Sequence, residues 1–118
     1  MNEKQILLAE DEFTARKLLE FQLKRLHITF DAVETGTAAL EYFRQGTYKL
    51  VLLDEYMPGL NGSEVAREIR RIDPSLPLLA MTSDPEAVQR LLEAGFREVF
   101  VKPLHGNAHL AIILGYLA

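Results

Sequence analysis

Short apolar runs alternate with amphipathic stretches five times along this chain. The runs predict strands at residues 6–9, 28–33, 50–53, 77–81 and 99–101, of which the second alternates apolar and polar residues and is expected to be more exposed. The stretches between and after them carry apolar residues at helical spacing and predict five helices. Strands that alternate with helices through short connections are typical of parallel sheets. The pattern therefore predicts a single α/β unit, a doubly wound sheet with helices on both faces.

Local signals mark where several of these helices begin and end. Thr35 opens the second helix and Gly46 ends it, Asn61 or Ser63 caps the third, and Asp84 starts the fourth. Apolar spacing predicts which helical residues face the sheet. These include Leu19, Leu23, Leu26, Val65, Ile69, Ile72, Leu91 and Leu92.

The third predicted strand ends in an acid, because Asp54 follows four large apolar residues at 50–53. Loop signals come next, a Met-Pro-Gly turn at 57–59 and an Asn-Gly pair at 61–62. In open α/β sheets, ligands gather at the C-terminal ends of the strands. Taken alone, Asp54 could also be a turn residue without further function, since Asp is common in turns.

The polar residues that follow four of the five predicted strands stand out as candidate site residues, because parallel strands bring these ends to one edge. They are Glu10, Asp11 and Glu12, then Asp54, then Thr82 and Ser83, and finally Lys102. Clustered carboxylates repel unless a cation joins them, and Mg²⁺ prefers oxygen ligands. Lys102 and Thr82 suit the oxygens of a phosphoryl group. The set predicts a carboxylate acceptor for phosphoryl transfer, and a purely structural ion pair of Lys102 with the acids is the alternative.

Composition and charge narrow the function further. A length of 118 residues suits one domain, and a net charge of -4 argues against nucleic acid as a partner. The chain has no cysteine, which excludes disulfides and thiol catalysis. No apolar run approaches the roughly 20 residues of a membrane span, and no signal peptide precedes the first strand. We therefore expect a cytoplasmic protein that contacts no membrane.

Two other phosphate-handling classes fit the chain less well. The acidic loop at residues 10–12 would repel the phosphate that a nucleotide- or flavin-binding fold must hold there. Tyr56 stands where a phosphatase with an aspartyl nucleophile usually has its second acid.

At these motifs the chain resembles the receiver domain of two-component response regulators. The resemblance covers nearly the whole length and rests on residues 6–12, 52–62, 81–83 and 101–103, in that order. It implies a flavodoxin-like sheet of strand order 2-1-3-4-5 with five helices. It also implies one receiver domain over residues 1–118, with no output domain present.

The resemblance assigns roles to single residues. It implies that Asp54 is the phosphoacceptor and that Mg²⁺ is held by Glu10, Asp11, Asp54 and the backbone carbonyl of Tyr56. It implies that the Thr82 hydroxyl moves to the phosphoryl group and that Lys102 contacts the same group. The resemblance further gives structural roles to Pro58, Gly62 and Pro103, with a cis peptide bond before Pro103.

The resemblance also implies partners. A histidine kinase or phosphotransfer protein would donate the phosphoryl group, and a downstream protein would read the face made by the fourth helix, fifth strand and fifth helix. The domain would not act as an enzyme on a diffusible substrate. It would only phosphorylate itself and slowly lose the phosphoryl group. A hydrolase with a diffusible substrate is a distant alternative.

Three features depart from the family pattern. Val99 occupies the switch position that is usually aromatic, and Phe100 is predicted to point to the other face. Glu55 adds a negative charge beside Asp54. Both favour the main alternative, a pseudo-receiver that binds proteins independently of phosphorylation. The fifth helix is apolar on more than one face, which favours a protein contact there, with a partner or in a homodimer.

Overall fold

The computed structural model describes residues 2–118, whose main feature is a parallel sheet with helices on both faces. The strands are β1 (Ile6–Ala9), β2 (Phe30–Val33), β3 (Leu50–Asp54), β4 (Leu78–Thr82) and β5 (Glu98–Val101). The helices are α1 (Phe13–Arg25), α2 (Gly36–Gln45), α3 (Gly62–Ile72), α4 (Val88–Glu93) and α5 (Ala108–Leu117). A 3-10 turn, Pro85–Ala87, precedes α4, and the short strands Asn2–Glu3 and Gly46–Thr47 pair in parallel outside the main sheet.

The order of the main strands is β2-β1-β3-β4-β5, with every pair parallel. This confirms the predicted doubly wound fold and its strand order. Register places Ala9 beside Leu53 and Asp54 beside Met81. β2 begins later than predicted, because Ile28 donates its backbone N–H to Leu23 at the end of α1 and does not pair with a strand.

Successive strand residues point to opposite faces, so the sheet separates two apolar layers. On one face, strand residues pack against α1 and α5. This layer includes Ile6, Leu8, Leu52, Leu19, Leu23, Leu110 and Ile113. On the other face, strand residues pack against α2, α3 and α4. This layer includes Leu7, Val51, Leu53, Ala39, Val65, Ile69 and Leu91.

Three residues predicted to face the sheet do not. Leu26, Ile72 and Leu92 are 39%, 48% and 40% exposed. Each lies in the last turn of its helix or at its C-cap. Because no further helical turn follows to cover them, these side chains stay accessible to solvent. Across residues 2–118, no helix combines the length and hydropathy that crossing a membrane requires.

The start of α3 is fixed against the end of β3. Asn61, not Ser63, caps the helix: its Oδ1 accepts from the Glu64 N–H at 2.9 Å, and Glu64 Oε1 accepts from the Asn61 N–H at 2.9 Å. A Cβ atom at Gly62 would lie 2.4 Å from the backbone oxygen of Asp54. The close approach of these two backbones therefore requires glycine at this position.

Gly62→Ala should lower the free energy of unfolding by roughly 2 kcal/mol, since backbone atoms must move apart to admit the methyl group. Gly115→Ala is the matched control, because a Cβ atom there meets no other heavy atom within 4 Å. Within α5, that exchange should be neutral or stabilising by up to about 1 kcal/mol. Urea unfolding measures both, and equal stabilities for the two variants would contradict the steric argument.

Candidate functional site

The C-terminal ends of β1, β3 and β5 bring two carboxylates and a lysine into contact. Asp54 is 4% exposed at the end of β3, and Glu10 is fully buried just after β1. Lys102 follows β5, with its Nζ 2.9 Å from Glu10 Oε1 and 3.0 Å from Asp54 Oδ1. The Asp54 Oδ1 atom also accepts the Glu55 N–H at 3.0 Å. The strand ends therefore bring these predicted site residues together.

Lys102 does not fully balance the two buried acids. Burial, and then the negative charge of Glu10, raise the pKa of Asp54 to about 7, although the hydrogen bond from Lys102 lowers it. Burial alone would lower the pKa of Lys102, but its hydrogen bonds to Glu10 and Asp54 raise that pKa overall. Lys102 therefore stays protonated between the two acids, and the pKa of Asp54 lies close to neutral pH.

A third carboxylate completes a group that fits a divalent cation. Oxygen atoms of Glu10, Asp11 and Asp54 all lie within 4.8 Å of one another, and Asp11 is exposed. When all three carboxylates are ionised, their charges and the one charge of Lys102 sum to two negative charges. Oxygen-only ligands with that charge match the preference of Mg²⁺. The Tyr56 side chain is exposed in the next loop, and metal binding by its backbone carbonyl stays a prediction.

Glu12 has a different role from the other acids after β1. Its Oε1 accepts the Ala15 N–H at 2.8 Å and its Oε2 accepts the Thr14 N–H at 3.2 Å, so Glu12 caps α1. Sequence reasoning missed Arg16, which is buried and donates from NH1 to the Glu10 carbonyl oxygen at 3.1 Å. No local signal pointed to Arg16, because its partner is a backbone atom of the acidic loop.

Thr82 is buried at the end of β4, but its hydroxyl forms hydrogen bonds with residues other than Asp54. Thr82 Oγ1 donates to Glu55 Oε1 at 2.7 Å and accepts the Asp84 N–H at 3.0 Å. The other carboxylate oxygen of Glu55 forms an ion pair with Arg90 of α4. Sequence reasoning singled out Glu55 only as an extra charge and missed Arg90, which lies 35 residues further along the chain.

The switch position and its neighbour face opposite layers, as predicted. Val99 packs with the layer of α2, α3 and α4, whereas Phe100 packs with the layer of α1 and α5. Phe100 meets His109 edge to face, with ring centroids 6.1 Å apart. The Lys102–Pro103 peptide bond is cis. Pro58 is exposed in the loop after β3, next to Gly59 with φ of +79°.

A cleft of about 460 Å³ opens beside Lys102, between α1 and the loop after β5. Its lining includes Ala15, Leu18, Pro103 and Leu104. We call this feature the α1 cleft.

Two apolar side chains of α5 are accessible to solvent, since Ile112 and Leu114 are 39% and 42% exposed. What covers these two side chains stays a prediction, with a partner protein and a second copy as the two expectations.

Comparisons with known proteins agree with the fold. The family model described as response regulator receiver domain matches residues 6–114. Transcriptional regulatory protein ResD of Bacillus subtilis (strain 168) is 38% identical over 104 residues, which are 86% of this chain and 43% of ResD. The chain spans about half the length, or less, of the curated relatives it matches.

Two solved structures are similar over nearly the whole chain. Response regulator protein TrrA from Thermotoga maritima, solved in complex with Mg²⁺ and BeF, has a TM-score of 0.85, 32% identity and full coverage of both chains. The receiver domain of a sensor histidine kinase from Pseudomonas aeruginosa PAO1 has a TM-score of 0.88 and 26% identity, covering 98% of each chain. That structure has a magnesium ion in its active-site cleft.

Proposed function

Because the chain belongs to the response regulator receiver domain family, we propose that Asp54 accepts a phosphoryl group in a two-component system. The observation that carries this proposal is the contact of Lys102 with both Asp54 and Glu10 at the C-terminal ends of the strands, which we call the carboxyl edge. This arrangement holds an acidic nucleophile beside a cation that can bind phosphoryl oxygens. A receiver domain is a signalling domain, so the chemistry needs no diffusible substrate.

The transfer needs an ionised Asp54. A carboxylate oxygen of Asp54 would attack the phosphorus of a phosphohistidine as the P–N bond breaks. The imidazole nitrogen leaves with the electron pair and takes a proton from solvent, and the product is an aspartyl phosphate. Since burial and Glu10 raise the pKa of Asp54 to about 7, a large fraction of this carboxyl would be protonated at neutral pH without a further cation.

Glu10, Asp11 and Asp54, with the backbone carbonyl of Tyr56, would hold Mg²⁺. The bound ion would supply positive charge that keeps Asp54 ionised and offsets the charge of the phosphoryl oxygens. Lys102 would keep its hydrogen bond to Glu10 and donate to a phosphoryl oxygen instead of to Asp54, since an ammonium group has three donors. The Thr82 hydroxyl would become a further donor once it leaves Glu55.

The donor would be a histidine kinase or a phosphotransfer protein. The α1 cleft supports this part of the proposal, because its apolar lining leads to Lys102 and could seat the surface around a donor histidine. The downstream partner would read a change on the face of α4, β5 and α5. That residues 1–118 act as one receiver domain is a proposal of the same kind.

Intact mass spectrometry tests the proposal. With acetyl phosphate and Mg²⁺, the protein should gain the mass of one phosphoryl group, and a chelator should prevent the gain. Acetyl phosphate replaces the phosphohistidine here, and its P–O bond breaks in place of the P–N bond. A folded protein that gains no phosphoryl group from either acetyl phosphate or a phosphorylated histidine donor would favour the pseudo-receiver instead.

A further inference from the structure

The carboxylate of Glu55 joins the end of β4 to α4. It is 4% exposed, and each of its oxygens has one partner from another element. Oε1 accepts the Thr82 hydroxyl at 2.7 Å, and Oε2 pairs with Arg90. A buried carboxylate is costly unless it is paired and hydrogen-bonded, so both contacts are needed to keep Glu55 inside.

A hydroxyl group has a single hydrogen to donate. In this structure Thr82 donates it to Glu55. If Thr82 donates to a phosphoryl oxygen on Asp54, Glu55 loses that bond at the moment when new negative charge appears beside it. Both changes disfavour a buried Glu55, and its remaining partner, Arg90, has a side chain that is 57% exposed.

We propose that Glu55 is a positioning residue that holds the Thr82 hydroxyl away from Asp54 and ties it, through Arg90, to α4. Phosphorylation releases the hydroxyl and moves Glu55 and Arg90 toward solvent, which changes the surface of α4. The inference rests on the proposed function and adds the route by which Asp54 communicates with that helix. It gives the chain a connection that Val99 cannot supply, because valine at the switch position has no ring to turn inward.

The construction of α4 suits such a response. The helix spans only Val88–Glu93 and continues the 3-10 turn Pro85–Ala87, which the Asp84 side chain caps. Leu91 is its buried apolar anchor, whereas Leu92 and Arg90 are exposed. A helix with one buried anchor resists displacement weakly, so the loss of the Arg90–Glu55 ion pair can shift it.

The experiment measures two quantities in the full chain with acetyl phosphate and saturating Mg²⁺. The first is the rate constant of adduct formation by intact mass, and the second is the NMR signal of the Arg90 Nε–H group. Glu55→Gln should raise the rate constant about tenfold, because the neutral amide oxygen accepts the Thr82 hydroxyl more weakly than the carboxylate does and competes less for it. The Arg90 signal should move on phosphorylation of the natural chain, and should already be shifted in unphosphorylated Glu55→Gln.

Glu68→Gln is the matched control, because Glu68 also forms ion pairs, but with Arg44 of α2 and Arg71 of α3 instead of with α4. It should change neither quantity. In a Thr82→Val background, Glu55→Gln should raise the rate constant much less, since no hydroxyl remains to be released. This last readout separates positioning of Thr82 from a general effect of charge.

An adduct that forms while the Arg90 signal stays unmoved would overturn the inference. So would a Glu55→Gln rate constant no higher than that of Glu68→Gln, or one that rises equally with and without the Thr82 hydroxyl. The absence of any adduct on the natural chain is a different result, because it would overturn the proposed function and this inference with it.

Discussion

Replacing Asp54 by Asn should abolish the phosphoryl adduct and leave the protein folded. The amide of Asn cannot supply the anionic oxygen that attacks phosphorus, although its size fits the space that Asp54 fills. The fold should tolerate the change, because the exchange removes one of the two carboxylates that Lys102 contacts and leaves Lys102 paired with Glu10. Intact mass after incubation with acetyl phosphate and Mg²⁺ measures the first effect, and urea unfolding measures the second.

Asp73→Asn is the control with identical chemistry. Asp73 lies at the C-cap of α3, and its Oδ1 accepts from both the N–H and the hydroxyl of Ser75. An Asn oxygen can accept the same bonds, so this variant should gain the phosphoryl group as the natural chain does. An adduct that persists on Asp54→Asn would move the acceptor to another acid of the edge, such as Asp11, and contradict the assignment.

The sequence pattern was sufficient to predict the sheet. Consecutive strand residues such as Leu52 and Leu53 point to opposite faces of the sheet, and both are buried. A short continuous apolar run is therefore typical of a strand covered on both faces. Strands that alternate with helices through short connections are typical of a parallel sheet. Parallel strands bring Glu10, Asp54 and Lys102 to one edge. These residues lie far apart in sequence. The topology of the sheet places them together, and no local sequence signal does so.

Other features were beyond the sequence because they depend on competition between partners. Glu12 has the same side chain as Glu10, but the free backbone N–H groups at the start of α1 bind the Glu12 carboxylate. Thr82 has the predicted position, but Glu55 accepts its hydroxyl hydrogen. Which acceptor a buried hydroxyl selects depends on where side chains of several elements lie, and residue types do not contain that information.

Lys102→Met should make the protein less stable when no metal is bound, by roughly 3 kcal/mol at pH 8. Methionine keeps most of the length of lysine but leaves the carboxylates of Glu10 and Asp54 facing each other without a cation. Urea unfolding measures the loss. Lys17→Met is the control, because Lys17 is half exposed and its ion pair with Glu20 lies on the surface of α1, so little change is expected there.

The loss should depend on pH in a definite direction. The pKa of Asp54 is raised from 3.8 to about 7 in the folded chain, and removing Lys102 takes away a group that lowers it. Between pH 4 and 7 the folded state then holds a proton that the unfolded state has released. The free energy of unfolding therefore falls as pH rises through this window, and the fall should extend above pH 7 in Lys102→Met.

Two further measurements separate charge from packing in Lys102→Met. Adding Asp54→Asn removes one of the facing carboxylates, so the lysine substitution should cost less in that background than in the natural chain. Saturating Mg²⁺ should restore part of the lost stability, since a bound cation replaces the missing charge. A loss that is equal at pH 5 and pH 8, and equal with and without Asp54, would mean that Lys102 acts through its hydrocarbon stem. The ion pairs with Glu10 and Asp54 would then not be what holds the carboxyl edge together.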